Sequence, residues 1–251
     1  MSIIGKPVVI GGSSELELTN LWENDAKTSS FSPKIVALSG NVEDYDFVLF
    51  KYGANTTTPI DNANNQKGTA PEFPNLFGLN RTIELHTHGS TNNLNQYRLL
   101  TIPTTTTVNF QAGGEGNSTN NSRVIPYTVE GVAMPGVKLL WNQTAPETFS
   151  GNVTIQGLNK YPILCIDYVF TQSINRHFFV WVTPDVSTLN LFVYADINSR
   201  GGLRPVTIDR TTDVITFDDA QYIGVTTLSE RNRYCIPVGI IGIKVREVDL
   251  T

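Results

Sequence analysis

The sequence predicts an all-β protein built from two tandem, duplicated antiparallel β-sandwich domains of jelly-roll-like character, preceded by a short N-terminal segment. Three observations carry that expectation. A set of residues recurs in the same order about half a chain later. The apolar runs are short, rich in Val, Ile, Thr and aromatic residues, and separated by Asn, Gly, Asp and Pro, the pattern of strands and turns. No stretch carries a helical apolar stripe over three turns.

The recurrence is specific. Leu21-Trp22 followed by Ala26 returns as Leu140-Trp141 followed by Ala145, and Phe31-Ser32 as Phe149-Ser150. The run Tyr45 to Tyr52 returns as Tyr161 to Tyr168. Arg98, Thr101, Ile102 and Val108 match Arg204, Thr207, Ile208 and Val214, and Asn121, Ile125, Pro126, Val129, Gly131 and Val132 match Asn232, Ile236, Pro237, Ile240, Gly242 and Ile243. Internal self-similarity of this kind predicts one fold used twice. The expected division is an attachment segment at 1–18, a first sandwich at 19–134 and a second at 135–251.

In chain order, Val8-Val9-Ile10 before Gly11-Gly12-Ser13-Ser14 reads as a short strand and a hinge, either a plain β-arm or a docking peptide that adds a strand to a partner. First-copy strands are expected at 34–38, 47–52, 82–86, 98–102, 106–110, 123–127 and 129–133. Second-copy strands are expected at 153–156, 163–170, 177–182, 189–194, 203–208, 214–217, 222–227 and 234–245, the last bent at Pro237 and Gly239. The copies differ most at 53–80, which reads as a long loop rich in Asn, Thr, Pro and Gly; loops of that length are functional or disordered. A second loop, 111–121, reads as a hairpin tip. Asn55, Asn64, Phe73 and Asn117 are the candidate contact residues on these loops.

Composition narrows the function. The chain has 251 residues, enough for two domains of about 110 residues each. The formal net charge is −5, without a basic stripe, which argues against a nucleic-acid partner. Charged residues are only 16%, and Asn, Thr and Ser supply the polarity. No apolar stretch is long enough to span a bilayer, so membrane insertion is not expected. The start makes a poor secretion signal, so synthesis in a cytoplasm is expected. Cys165 and Cys235 align with Leu49 and Val124, which predicts buried free thiols rather than a disulfide.

Few motifs carry chemistry. His86-Thr87-His88 puts two imidazoles on one strand face, and three chains meeting on an axis would supply six ligands to a transition-metal ion; the bland alternative is two surface histidines. No other cofactor is expected. His177 reads as a residue of a sheet edge. Glu43-Asp44 and Asp218-Asp219 read as turn acids rather than a glycosidase pair. Trp22 and Trp141 read as core plugs, and Trp181 as core or oligomer interface. No nucleophile is marked, so no catalytic residue is assigned.

The second copy opens Leu140-Trp141 and closes Asn232-x-x-Cys235-Ile236-Pro237, then Ile241-Gly242-Ile243-Lys244. This signature resembles the small β-rich domains of phage virion appendage proteins, of tail-fibre, baseplate-peripheral or head-fibre type. The first copy departs from it, with Val124 for the Cys and no Lys. The resemblance implies a non-enzymatic, oligomeric, often trimeric structural protein of the virion. Its N-terminus would dock on capsid, portal or tail proteins and its far loops would touch a host surface glycan. The alternative is a tandem carbohydrate-binding module of a cell-surface or secreted protein.

Overall fold

The computed structural model describes residues 17–24, 30–53, 67–88, 95–115, 118–134, 136–143, 149–171, 176–194, 201–222 and 232–244. Val8, Val9, Ile10, Asn55, Asn64 and Asn117 lie outside them. The described chain is nearly all β. In order, the strands of the first half are β1 (Glu17–Glu23), β2 (Lys34–Ala37), β3 (Phe47–Gly53), β4 (Lys67–Glu72), β5 (Thr82–His88), β6 (Asn95–Thr104), β7 (Thr107–Glu115), β8 (Ser118–Thr119) and β9 (Ile125–Ala133). Those of the second half are β10 (Val137–Asn142), β11 (Gly151–Thr154), β12 (Ile163–Thr171), β13 (Arg176–Val182), β14 (Thr188–Tyr194), β15 (Gly201–Asp209), β16 (Val214–Phe217), β17 (Gln221–Tyr222) and β18 (Tyr234–Ile243). One helical turn, α1 (Pro74–Phe77), follows β4.

Several sequence expectations need correction. The supposed loop at 53–80 contains β4 and α1; Pro71 and Gly68 hid the strand, and both are tolerated because β4 ends its sheet. Phe73, assigned to a binding loop, is fully buried against Phe47, Phe77, Phe179 and Trp181. Much of 111–121 belongs to β7 and β8. The strands expected at 123–127 and 129–133 are one strand with a bulge, and the Leu-Trp openings, left unassigned, are β1 and β10.

Each half layers one sheet on another around a shared core. In the first, β1-β9-β3-β4 covers β2, β7, β6 and β5, and Leu21, Phe50, Val129, Ile83, Leu100 and Phe110 meet between them. In the second, β10-β18-β12-β13 covers β11-β16-β15-β14 around Ile166, Tyr168, Ile240, Leu191, Val206 and Phe217. In each half the first strand pairs with the last, β1 with β9 and β10 with β18, and the second pairs with β7 or β16, while the inner strands pair with sequence neighbours: β3 with β4, and β5 with β6 with β7. The halves are not separate. β13 lies parallel to β5, through Arg176↔Thr82 and His177↔Ile83, and makes one continuous sheet in the order β10-β18-β12-β13-β5-β6-β7-β2, with β8 beside β7. A third apolar cluster, with Phe47, Phe73, Val132, Cys165 and Ile241, fills the seam.

The two halves repeat the same local devices. β1 slips register against β9 between Asn20 and Trp22, and β10 slips against β18 between Leu139 and Trp141. β3 slips between Lys51 and Tyr52, and β12 between Asp167 and Tyr168. Such bulges bend a strand at a chosen place. Trp22 packs on Phe31 and Phe110, and Trp141 on Phe149 and Phe217, as expected for core plugs. A Cβ on Gly131 would stand 2.6 Å from the Tyr45 ring, and one on Gly242 2.6 Å from Tyr161, so each tyrosine lies on a glycine of the last strand.

Each half buries one arginine, at matching places. Arg98 Nε donates to the Val124 carbonyl at 2.7 Å, Nη1 to Gln111, and Nη2 to Asn121 and Arg123. Arg204 Nε donates to the Cys235 carbonyl at 2.8 Å, Nη1 to Asp218, and Nη2 to Asn232 and Tyr234. Val124 and Cys235 both have φ of 47°, a conformation that costs a β-branched residue most. The left-handed kink turns each carbonyl toward the guanidinium, and the arginine compensates the strain with a charge-assisted bond. Burial pulls both arginines down to about 10, so each remains cationic at neutral pH. Cys165 and Cys235 are buried and unbridged, as expected. Glu43 and Asp44 are exposed in a turn, also as expected.

Candidate functional site at the seam

Residues shared by both halves build the fold, and those present in only one are free to build a site. Matching the halves strand by strand sets Glu72 opposite Val182, Arg81 opposite Ser187, Glu84 opposite Asn190 and Asp167 opposite Lys51. Glu72, Glu84 and Asp167 are the buried carboxylates among the described residues, and all three sit at the seam with the buried His177.

Their placement follows from the strands. Asp167 is near the middle of β12, and Cys165, two residues earlier, shares its face. His177 is second on β13, Glu72 last on β4, and Arg81 stands just before β5, where β5 meets β13. Arg81 Nη1 bonds Glu72 Oε1 at 3.2 Å, and its Nη2 bonds Asp167 Oδ2 and contacts His177 Nδ1. His177 Nδ1 lies 2.9 Å from Asp167 Oδ1, while its Nε2 accepts from Arg81 Nε at 3.4 Å. The guanidinium also lies over the Phe77 ring, 4.2 Å from its centre. On the opposite face of the β5–β13 pair, Arg176 bonds Glu84 at 3.0 Å and sits over Tyr97.

The electrostatics are uneven. Burial pushes Glu72 up to about 7, against the opposing pull of Arg81. Its Oε2 is buried without a hydrogen-bond partner. Burial acts the same way on Asp167, but Arg81 and His177 outweigh it and hold that carboxyl below its ordinary value. Burial, with Asp167 and Glu72 nearby, pushes the Cys165 thiol far up, opposite to the activation of a nucleophilic cysteine.

The sequence-level candidates fall elsewhere. His86 packs edge-on against Phe178, ring centres 5.5 Å apart, and burial pulls it down to about 4. The His88 side chain lies outside the described residues. Among the described residues no group of three or more His, Cys, Asp and Glu side chains converges on a metal position. His177, expected at a sheet edge, is interior, because β13 pairs with both β12 and β5. Sequence reading missed Glu72, Arg81, Glu84 and Asp167. The available signal was an acid inside a run that is otherwise apolar, Asp167 within 163–170, at a position where the other copy has a residue of opposite charge. No protein-family model and no curated protein matches the chain.

Proposed function

We propose that the chain is a non-enzymatic structural protein of a phage particle, an oligomeric appendage of head- or tail-fibre or capsid-decoration type. In this reading the N-terminal segment with Val8, Val9 and Ile10 docks on capsid, portal or tail proteins. The protein is made in the host cytoplasm, assembles on the virion as a homotrimer, and presents loops carrying Asn55, Asn64 and Asn117 to a host surface glycan. The observation that supports it best is the use of the buried charge. Arg98 and Arg204 hold backbone, and Glu72, Arg81, Asp167 and His177 hold one half to the other, so these groups serve a rigid double scaffold. The resemblance of the closing Asn-x-x-Cys-Ile-Pro signature points the same way, and the low charge with abundant Asn and Thr suits a surface whose loops vary without disturbing the core.

Light scattering on the purified chain tests this. A trimer is the expected species, and dissociation by a strong chelator that is lost in both His86→Ala and His88→Ala would assign the two histidines to a metal on the trimer axis. A monomer at every concentration, together with normal adsorption of particles whose 54–66 segment is replaced by a short Gly-Ser linker, would overturn it.

A further inference from the structure

Among the described residues two register pairs, Arg176↔Thr82 and His177↔Ile83, join the halves by backbone, against seven between β3 and β9. The ionic cluster stands on that junction: Arg81 precedes Thr82 in the chain, and His177 is one of the paired residues. Arg81 is the permanent cation that faces both carboxylates, one from each half. Its bonds to Asp167 are complemented by His177, whereas Glu72 has one nitrogen of Arg81 and the Phe73 backbone N–H on its carboxyl and keeps Oε2 buried without a partner. A buried, half-satisfied carboxylate is costly when charged and cheap when it carries a proton.

We propose that the seam is a proton-operated latch, in which a protonated Glu72 locks the two halves together and its ionisation loosens them. With the proton on, Arg81 and Asp167 form a balanced pair and Glu72 is a neutral neighbour. With it off, a second negative charge faces the same guanidinium in a buried setting, beside Asp167 and the Cys165 thiol. The groups facing Glu72 and its partners are Arg81 from the start of β5, Asp167 and Cys165 from β12 and His177 from β13; Glu84 and Arg176 pair on the other face of the junction.

The sign follows from the direction of each shift. Glu72 is raised in the folded protein, so its contribution is fully present below the ordinary carboxyl value of 4.5 and is lost as pH rises through about 7. Asp167 is lowered, so its contribution is present above its ordinary value of 3.8 and is lost only as pH falls further. The latch is therefore tightest in mildly acidic solution and slackens toward alkaline pH.

Hydrogen exchange across pH 5.5 to 8.5, corrected for the intrinsic pH dependence of exchange, reads the junction directly. Protection of the amides of Thr82, Ile83, Arg176 and His177 is expected to fall by at least about tenfold over that range, one pKa unit's worth, while the amides around Arg98 and Arg204 hold steady. Glu72→Gln, which copies the protonated acid, should hold junction protection flat. A wild-type junction whose protection does not change relative to the two cores overturns the latch, whatever the folding of the variant. So does a Glu72→Gln protein that keeps the wild-type pH profile.

Discussion

The arginine pockets and the seam both bury charge, but they do so by opposite rules. Arg98 and Arg204 are surrounded by backbone carbonyls, and the same atoms meet the same partners in both halves. The seam instead opposes side chain to side chain, and none of Glu72, Arg81, Glu84 and Asp167 has a like residue at the matching place. Carbonyl cages are set by the path of the chain and can be copied with the fold. Side-chain clusters are set by what the fold is placed against, and so belong to one location. The difference separates what makes each half fold from what makes the two halves one body.

The largest expected effect breaks the symmetry of the pockets. Arg98→Leu or Arg204→Leu leaves several buried carbonyls unpaired and the left-handed residue unsupported, so each should cost about 3 kcal/mol or more. Equal losses in urea denaturation would show that the pockets are energetically as well as geometrically equivalent. A loss under about 1 kcal/mol at either would show that the kink at Val124 or Cys235 stands without its arginine.

A middle-sized effect uses the mismatch between His86 and Phe192, which occupy matching places. Burial lowers His86 to about 4, so its neutral form contributes stability above its ordinary value of 6.5, and that contribution is lost as pH falls toward 4. His86→Phe should flatten the part of the acid destabilisation that lies between those values, which thermal melts at a series of pH values would show. An unchanged slope would mean that the imidazole is not confined against Phe178.

The smallest effect concerns Ile35, 64% exposed on β2, where β11 has Asn152 when Phe110 is set on Phe217, the rings that pack alike on Trp22 and Trp141, rather than Val108 on Val214. Ile35→Asn should change folding stability by no more than about 0.5 kcal/mol. A larger loss in denaturation would show that β2 depends on this side chain in a way that β11 does not.

The sequence made the copied parts legible and the unique parts obscure. Trp22 with Trp141, Cys235 with Val124, and Tyr52 with Tyr168 announced core positions because each appears twice, and strand periodicity located β3, β5, β12, β14 and β16 closely. Gly68 and Pro71 weaken the local pattern over β4, so neither that strand nor the burial of Phe73 beside it is legible in the sequence. Arg98 and Arg204 were visible as a matched pair, but nothing local marks an arginine as buried, since its bonds run to carbonyls 13 to 31 residues away. The seam was least legible. A parallel contact between strands 94 residues apart leaves no turn, spacing or periodicity to read.

The continuous sheet also has a mechanical meaning. Hydrogen bonds between neighbouring strands carry tension across a sheet, and the load passes in series from one half to the other. Among the described residues the shortest link in that series is the parallel β5–β13 contact, the weaker pairing type per residue and two register pairs long. A pull that separates the halves is therefore expected to open this link, with the Arg81 bonds beside it, before the longer antiparallel ladders on either side, as a fuse would, leaving each arginine in its own sandwich.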